Sequence, residues 1–267
     1  MSYCGISGLP TWVININAIH DSRLGVKIRH IESGNDGDVC NSIVTHELLN
    51  TGKPAYCLDI GVDEGWWSFF VVDTNPLVTI NAFEPNPLSY DALLQHLADV
   101  PQIKIHNYAI SDAVGFLNFE CLGGQSHSRG SATSIKVPCV SICDYIKDAV
   151  VDCIKIDTEG HDLVILKTLH PYLHNIRSII FEFTVYWNGD DKDTCISRSR
   201  DELYHLHGVY KYMYMLSRRG LPQLTLIEKA EDIDGFVNML YNKTLQVDIL
   251  VTNTLIQTIP IHYAKYS

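Results

Sequence analysis

The stretch Tyr56–Ser68, Y-C-L-D-I-G-V-D-E-G-W-W-S, constrains the fold most, because it predicts a strand, a tight turn and a helix in immediate succession. A short apolar run ends at Asp59, glycines follow at Gly61 and Gly65, and an aromatic-rich helical pattern begins directly after them. Glycine at such a turn permits positive φ and lets a ligand approach the backbone without meeting a Cβ. Asp59 would repel phosphates and attract an ammonium group. The lack of a third glycine and of a Gly-Lys-Ser/Thr ending argues against a dinucleotide fingerprint or a phosphate loop; an ordinary strand-to-helix turn is the open alternative.

Length and composition are those of one large α/β domain, with two domains as the alternative. The 267 residues are 46% hydrophobic and 19% charged, and no apolar run approaches membrane-spanning length. The N-terminus shows no secretory signal pattern, so a cytoplasmic location is expected. A formal net charge of -11 opposes binding to an extended phosphate backbone and so disfavours nucleic acid as a partner. The 8 cysteines are scattered, several inside apolar runs, which indicates buried free thiols rather than a zinc site.

An acidic residue stands at the end of the next predicted strand. The run Leu77–Phe83 is typical of a strand and continues as E-P-N-P, so Glu84 follows it directly. Its position beyond the glycine turn suits hydrogen bonds from two ribose hydroxyls, as in nucleotide-binding α/β units. The alternative is a carboxylate stabilised by the N-terminus of the predicted helix Leu88–Leu97. Pro87 suits the first turn of that helix.

The middle of the chain predicts short elements around one long loop. Segment Leu122–Ser134, L-G-G-Q-S-H-S-R-G-S-A-T-S, is rich in glycine and serine and long enough to act as a lid; a disordered surface connection is the alternative. The flanking elements are predicted as a strand Ile103–Ile110, a hairpin-like pair Val114–Glu120, a strand Ile135–Ile142 and a short helix Cys143–Lys147.

Ionisable side chains also cluster after two further predicted strands, Val151–Asp157 and Ile176–Phe183. They are Asp157, Glu159 and His161 after the first strand and Glu182 near the end of the second. Carboxyl ends of parallel strands share one edge of a sheet, where ligands bind, so these groups are expected beside the two acids described above. A helix N-cap for Asp157, a first-turn acid for Glu159 and a surface helix position for His161 are the alternatives.

Strand and helix patterns alternate almost to the end, which predicts an α/β fold with a mainly parallel sheet and helices on both faces. The remaining predicted elements are a helix Arg198–His207, strands Val209–Leu216 and Leu224–Ile227, a helix Ile233–Tyr241 and a strand Val247–Val251. The terminal strand–helix–strand can insert one antiparallel strand. Residues 1–55, with apolar segments at 12–19 and 24–31 and a helical pattern at 38–49, are interpreted as an N-terminal extension that caps the domain of residues 56–267. A contribution to a substrate pocket or to a homodimer contact is the alternative.

Together these residues resemble the FkbM-type S-adenosylmethionine-dependent methyltransferase family. The resemblance rests on D-I-G-V-D-E-G-W-W-S, A-F-E-P-N-P, N-Y-A-I-S and I-K-I-D-T-E-G-H-D in that order and spacing, followed by F-E-F. It covers Tyr56 to Phe183 well and extends more loosely to Asn253. The family usually reads D-I-G-A-N-x-G at the first motif, whereas Val62 and Asp63 stand here in place of Ala and Asn. Asp63 keeps an acceptor, loses the amide donor and adds charge.

The resemblance implies the seven-stranded class I methyltransferase (Rossmann-like) fold, with S-adenosylmethionine lying across the carboxyl ends of the first strands. The glycine turn would admit the methionine and ribose portions, Asp59 would hold the ammonium group directly or through water, and Glu84 would accept the ribose hydroxyls. Ala109 and Ile110 would lie against the adenine ring. The residues implied to bind the cofactor are Asp59, Gly61, Val62, Asp63, Gly65, Ser68, Glu84, Pro85, Asn86, Ala109, Ile110, Ser111 and Asp157.

The implied chemistry is an in-line methyl transfer, in which alignment of the reacting atoms supplies much of the acceleration. A hydroxyl nucleophile must also lose a proton, and the candidate bases are Asp157 first, then Glu159, His161 and Glu182. A Mg²⁺ ion held by Asp157 and Glu182 is the alternative way to activate the hydroxyl. The expected function is O-methylation of a small hydroxylated acceptor, such as a sugar or a secondary metabolite, and no residue identifies which one.

Two other functions stay open. RNA 2′-O-methylation by a Lys-Asp-Lys-Glu tetrad would draw on Lys53 or Lys155, Asp157, Lys167 and Glu182, although their spacing is poor and the net charge opposes it. The non-enzyme alternative is a catalytically degenerate cofactor-binding domain that serves as an interaction subunit. The departure at the first motif supports that alternative, and the retained acids and glycines count against it.

Overall fold

The helices and strands alternate along the chain in the computed structural model, which describes residues 37–97, 99–119, 135–186, 190–218, 223–259 and 261–263. The helices are α1 (Gly37–Leu49), α2 (Trp66–Thr74), α3 (Pro87–His96), α4 (Cys143–Ile146), α5 (Asp162–Leu169), α6 (Lys192–Val209) and α7 (Asp232–Lys243). The strands are β1 (Ala55–Ile60), β2 (Val78–Phe83), β3 (Ile103–His106), β4 (Ala109–Ile110), β5 (Gly115–Phe119), β6 (Ile135–Val140), β7 (Cys153–Ile156), β8 (Ser178–Thr184), β9 (Tyr212–Leu216), β10 (Leu224–Leu226), β11 (Gln246–Thr252) and β12 (Ile261–Tyr263). The predicted lid and the apolar segments at 12–19 and 24–31 lie outside these described residues.

A central sheet organises the described part of the chain, in the strand order β12-β10-β9-β11-β8-β7-β1-β2-β3. Strands β3, β2, β1, β7 and β8 pair in parallel. Strand β11 is antiparallel to both β8 and β9, as the terminal strand–helix–strand pattern predicted. The class I methyltransferase fold is therefore confirmed. Two short strands, β10 and β12, extend the expected seven-stranded sheet to nine strands within the described residues.

Apolar cores lie on both faces of the sheet, because its central strands are buried on both sides. One core joins Leu58, Ile156 and Phe181 to helices α4 to α7, and the other joins Cys57, Ile180 and their neighbours to helices α1 to α3. The predicted helices on both faces are thus confirmed. Among the described residues the cysteines are free thiols, and all but Cys143 are buried.

Several predicted boundaries were wrong for identifiable local reasons. The predicted strand Ile103–Ile110 is interrupted at Asn107, whose side-chain amide donates to the Glu84 carbonyl at 2.9 Å, and the chain then enters a separate three-stranded sheet as β4. Helix α6 begins earlier than predicted because the Asp191 side chain accepts the Thr194 N–H at its N-terminus. The strand predicted to begin at Val209 begins at Tyr212 instead, because helix α6 continues to Val209.

Helix α1 packs into the same core as α2. The Trp67 indole donates to the Thr45 hydroxyl at 3.1 Å, and both residues are buried. The Glu47 carboxylate accepts the backbone N–H groups of Gln257 and Thr258. A separate cap formed by residues 1–55 stays a prediction, as do the cytoplasmic location and the homodimer. None of the described helices combines the length and hydropathy needed to cross a bilayer.

Candidate functional site

The turn after β1 touches the end of β7. Gly61 and Gly65 have φ values of 84° and 83°, which non-glycine residues rarely adopt. A Cβ on Gly61 would lie 1.9 Å from the Asp157 carbonyl oxygen, so only glycine fits where the two strands meet. Asp63 also has positive φ, at 49°. Asn and Asp adopt that conformation more readily than most non-glycine residues, so Asp63 suits this position of the turn.

Asp59 is buried at the carboxyl end of β1. Its Oδ2 accepts the Ser68 hydroxyl at 2.6 Å, and its Oδ1 has no hydrogen-bond partner among the described residues. Burial raises the pKa of Asp59 to about 6, against the opposing effects of the Lys155 charge and the Ser68 hydrogen bond. A buried acceptor without a partner indicates a missing donor, such as a ligand or a water molecule. Asp59 and Ser68, which were both predicted to bind the cofactor, are thus in direct contact.

Glu84 is held by backbone donors from two turns. Its Oε2 accepts the Asp63 N–H at 2.9 Å and its Oε1 accepts the Asn86 N–H at 2.8 Å. Burial raises the pKa of Glu84 to about 7, and these hydrogen bonds oppose the rise. Because a carboxylate has about four acceptor sites, each oxygen keeps one for another donor. The N-cap of α3 is Asn86, which accepts the Leu88 N–H, so Glu84 is not the capping group.

The turn after β4 contacts the loop before α5. Ala109, Ile110 and Ser111 are buried. The Ser111 hydroxyl donates to the Asp112 carboxylate at 3.0 Å, and His161 Nε2 lies 3.0 Å from the same hydroxyl oxygen. Because the only hydroxyl proton goes to Asp112, His161 donates to Ser111 through Nε2–H. Burial lowers the pKa of His161, which Asp112 opposes. His161 is half-buried at the N-cap of α5 rather than exposed on a helix surface.

Three carboxylates meet at the ends of β7 and β8. One carboxylate oxygen from each of Asp157, Glu159 and Glu182 lies within 4.8 Å of the others. His161 is not in this group, since its ring contacts Ser111 instead. Oxygens at this spacing can in general coordinate a divalent cation together. The cluster therefore unites three of the four residues predicted to act in catalysis.

The loop that carries Glu159 is held in an unusual conformation by an aspartate that sequence reasoning missed. Glu159 and Gly160 both have positive φ, 51° and 107°. The Asp162 carboxylate accepts the N–H groups of Thr158 at 3.1 Å and Gly160 at 3.0 Å. Burial raises the pKa of Asp162 to about 6. An aspartate two residues after a glycine was the available signal, since such side chains commonly close turns.

A row of charged side chains runs across one face of the sheet at this edge. Strand pairing places Asp59 beside Lys155, and the Lys155 ammonium contacts Asp157 Oδ2 at 2.9 Å. Burial lowers the pKa of Lys155, but Asp157 and Asp59 raise it more, so the ammonium stays charged. Pairing also places Glu182 beside Asp248 on β11. The sequence indicated Lys155 only as a tetrad candidate, and nothing in it indicated Asp248.

Arg218, just after β9, completes the row. Its Nη2 donates to Glu182 Oε1 at 2.6 Å and to Asp248 Oδ1 at 2.7 Å. Glu182 Oε2 is buried without a partner among the described residues. Burial and the Asp157 charge raise the pKa of Glu182 to about 8, while Arg218 lowers it. Carboxylates outnumber cations along this edge of the described structure, an arrangement that favours a cationic ligand.

The residues considered for a Lys-Asp-Lys-Glu tetrad do not all lie at one site. Lys53 precedes β1 and therefore lies at the amino-terminal edge of the sheet, opposite Asp157. Lys167 is exposed in the last turn of α5. Only Lys155 contacts Asp157 among the lysines that were considered.

Known proteins similar to this chain include methyltransferases of several kinds. Hexuronic acid methyltransferase AglP of Haloferax volcanii is 28% identical over 119 residues, 42% of this chain and 49% of the relative. The match thus spans about half the length of that relative. Among solved structures, the plantazolicin methyltransferase BpumL in complex with SAH gives a TM-score of 0.43 at 10% identity over 90% of each chain. Precorrin-6y C5,15-methyltransferase from Geobacter metallireducens GS-15 gives 0.40 at 12% identity, over 80% of this chain and 87% of that one.

The family described as the methyltransferase FkbM domain matches residues 56–213, which contain the glycine turn, Glu84 and the carboxylate cluster. Because this match extends over more than half of the chain, the protein belongs to the FkbM methyltransferase domain family.

Proposed function

We propose that the protein uses S-adenosylmethionine to methylate a hydroxyl group of a small acceptor, such as a sugar or a secondary metabolite. The observation that carries this proposal is the edge formed by β1 and β2. There a buried aspartate oxygen lacks a donor among the described residues, and a glutamate keeps acceptor sites on both oxygens.

These features fit the cofactor part by part. Asp59 Oδ1 suits the ammonium group, because a carboxylate and an ammonium form charge-assisted hydrogen bonds. Glu84, oriented by the N–H groups of Asp63 and Asn86, suits the two ribose hydroxyls. Gly61 lets the turn after β1 pack against the backbone of Asp157, and the apolar side chains of Ala109 and Ile110 suit contact with a purine. When bound, the cofactor supplies a methyl group already activated by its sulfonium.

The acceptor hydroxyl would lie next to the carboxylate cluster. Asp157 is the first candidate for the base because its backbone touches the turn at Gly61, which places it beside the proposed cofactor site. Its Oδ2 is engaged by Lys155, so the ammonium can stabilise the carboxylate while Oδ1 receives the hydroxyl proton. Glu182 Oε2, buried and without a described partner, suits a second contact to the acceptor.

The proposed acceptor class draws on the curated relative, whose name describes a hexuronic acid methyltransferase. That name makes a sugar hydroxyl the first acceptor to test. The Mg²⁺ prediction has the 4.8 Å carboxylate cluster in its favour. The Lys155 and Arg218 contacts weigh against it, since two of the three carboxylates already have a cationic partner.

Transfer of an isotope-labelled methyl group tests the proposal. The protein would be incubated with methyl-labelled S-adenosylmethionine and a panel of sugars and hexuronic acids, each paired with its deoxy analogue, and products located by mass spectrometry. We expect label on oxygen. Asp157→Asn should lower the rate by roughly 10²-fold or more while cofactor affinity is kept. Asp148→Asn, the same change at an exposed carboxylate, is the matched control. Label on nitrogen or on RNA, or a normal rate in Asp157→Asn, would contradict the assignment.

A further inference from the structure

We propose that Arg218 is a positioning residue for methyl transfer: it holds Oε1 of Glu182 so that Oε2 faces the acceptor hydroxyl. This inference rests on the proposed function for the role of Glu182. Arg218 lies outside the residues matched by the family. It follows β9, which pairs with the antiparallel strand β11 and so lies beyond the parallel strands of the sheet. Nothing in the motifs points to it.

The geometry of the contact is specific. A single nitrogen, Arg218 Nη2, lies 2.6 Å from Glu182 Oε1 and 2.7 Å from Asp248 Oδ1. That nitrogen carries two protons, so each carboxylate receives one. Glu182 and Asp248 are paired residues of adjacent antiparallel strands, which places both side chains on the same face of the sheet. The Glu182 and Asp248 side chains are 5% and 8% exposed, so both carboxylates are largely shielded from water.

The bridge extends to helix α1. Asp248 Oδ2 accepts the Asn41 side-chain amide at 3.0 Å, and Asn41 is buried. Asp248 therefore has a donor on each oxygen, and its position is fixed from two sides. Arg218, held by Asp248, in turn fixes Oε1 of Glu182. The chain from Asn41 to Glu182 connects a helix before the motif region with the candidate site.

The consequence for Glu182 is that its two oxygens differ. Oε1 is engaged by Arg218, whereas Oε2 is buried with no partner among the described residues. A fixed Oε1 removes rotation of the carboxylate, so Oε2 is presented in one direction without a further loss of side-chain entropy when the acceptor binds.

Arg218 also offsets the negative groups that surround Glu182. Those groups are Asp157 and Glu159 from the loop after β7, Asp162 at the start of α5 and Asp248 from β11. Burial and Asp157 raise the pKa of Glu182, and the Arg218 guanidinium lowers it. Among the described residues Lys155 contacts Asp157 and Arg218 contacts Glu182, so each of these two carboxylates has its own cation.

If Arg218 had a structural role alone, its contacts would only hold β8, β9 and β11 together. The chain offers a matched control for that role. Arg177 Nη1 contacts Asp152 Oδ1 at 2.6 Å, and this pair links the β7 and β8 region at the opposite edge of the sheet. Arg177→Gln removes an arginine–aspartate contact of the same length without touching the site, and the Arg177 side chain is 69% exposed.

The test compares Arg218→Gln, Arg218→Lys and Arg177→Gln with the unaltered protein. The environment of Glu182 is followed at one pH by NMR of ¹³Cδ-labelled glutamate, with Glu182→Gln identifying the signal. We expect the signal to shift and broaden in Arg218→Gln, because Oε1 loses its donor and the carboxylate can rotate, to do so less in Arg218→Lys, and to stay unchanged in Arg177→Gln. Arg218→Lys keeps the charge and preserves the test if Arg218→Gln does not fold. An unchanged Glu182 signal in both Arg218 variants would overturn the proposal.

The rate of methyl transfer separates positioning from structure. With the acceptor found in the labelled-methyl assay, kcat/KM for the acceptor should fall by about tenfold in Arg218→Gln and by less in Arg218→Lys, and Arg218→Gln added to Glu182→Gln should lower it no further than Glu182→Gln alone. Cofactor affinity measured by calorimetry should stay within about twofold, because Arg218 contacts none of the residues proposed to bind it. A changed Glu182 signal with an unchanged kcat/KM would show that Arg218 is structural only and would overturn the proposal. If cofactor binding itself is absent, the proposed function fails, while the Glu182 signal still decides whether Arg218 fixes that carboxylate.

Discussion

Replacing Gly61 by alanine should disrupt the meeting point of β1 and β7. The new Cβ would lie 1.9 Å from the Asp157 carbonyl oxygen and 2.7 Å from its carbon. Non-bonded heavy atoms of this kind rest at roughly 3.5 Å, so the two strand ends would have to separate by more than about 1 Å. The backbone hydrogen bond from Asp157 N–H to the Ile60 carbonyl, 2.9 Å long, spans that gap and would be strained.

The expected loss of stability combines two terms. A φ of +84° costs a non-glycine residue about 1–2 kcal/mol, and the strained hydrogen bond about 1 kcal/mol more. The free energy of unfolding should therefore fall by about 2–3 kcal/mol, which corresponds to a Tm lower by roughly 5–10 °C. Thermal and urea unfolding followed by circular dichroism would measure both quantities.

Gly52→Ala separates the two terms. Gly52 has a φ of +65°, and no atom of the described residues lies within 4 Å of an added Cβ, so alanine there meets only the backbone cost. Gly61→Ala should be less stable than Gly52→Ala and should also lose affinity for S-adenosylmethionine, which Gly52→Ala should keep. Equal destabilisation of the two variants with unchanged cofactor affinity would refute the contact between Gly61 and Asp157.

Three further predictions follow from buried polar groups. Because burial raises the pKa of Asp59 to about 6 and of Glu84 to about 7, the cofactor-free fold binds these protons more tightly than the unfolded chain. Its free energy of unfolding in urea should therefore decrease as pH rises from about 4 to about 7, and a flat profile would contradict the burial of both groups. Affinity for S-adenosylmethionine should increase over the same range, since its ammonium group needs ionised Asp59; calorimetry in buffers of different ionisation enthalpy should detect proton release. Thr45→Val should lower stability by about 1–3 kcal/mol, because it leaves the buried Trp67 N–H unpaired, whereas Thr51→Val, at an exposed position, should have little effect.

The sequence predicted the parts of the site that depend on strand ends. Asp59, Glu84 and Asp157 each follow a recognisable apolar run, and parallel pairing then brings their ends to one edge. The glycine turn was recognisable for the same reason, since strand, glycines and helix are contiguous in the chain.

Contacts between distant segments could not be predicted in this way. The approach of Gly61 to Asp157 depends on how β1 and β7 pack, and the bridge from Arg218 to Glu182 depends on the register of β11 with β8. Neither leaves a periodic pattern in the sequence. The boundary of β3 was wrong because a single side chain, Asn107, turns the backbone by bonding to the Glu84 carbonyl.

The central claim is that the edge formed by β1 and β2 binds S-adenosylmethionine. Isothermal titration with S-adenosylmethionine and S-adenosylhomocysteine, with Mg²⁺ and with EDTA, tests it most directly. We predict micromolar binding to the unaltered protein and to Asp148→Asn. Asp59→Asn and Glu84→Gln should each bind more weakly by about 1.5–3 kcal/mol, the cost of losing hydrogen bonds to a charged group. No binding at millimolar cofactor, or equal binding by all four proteins, would contradict the account.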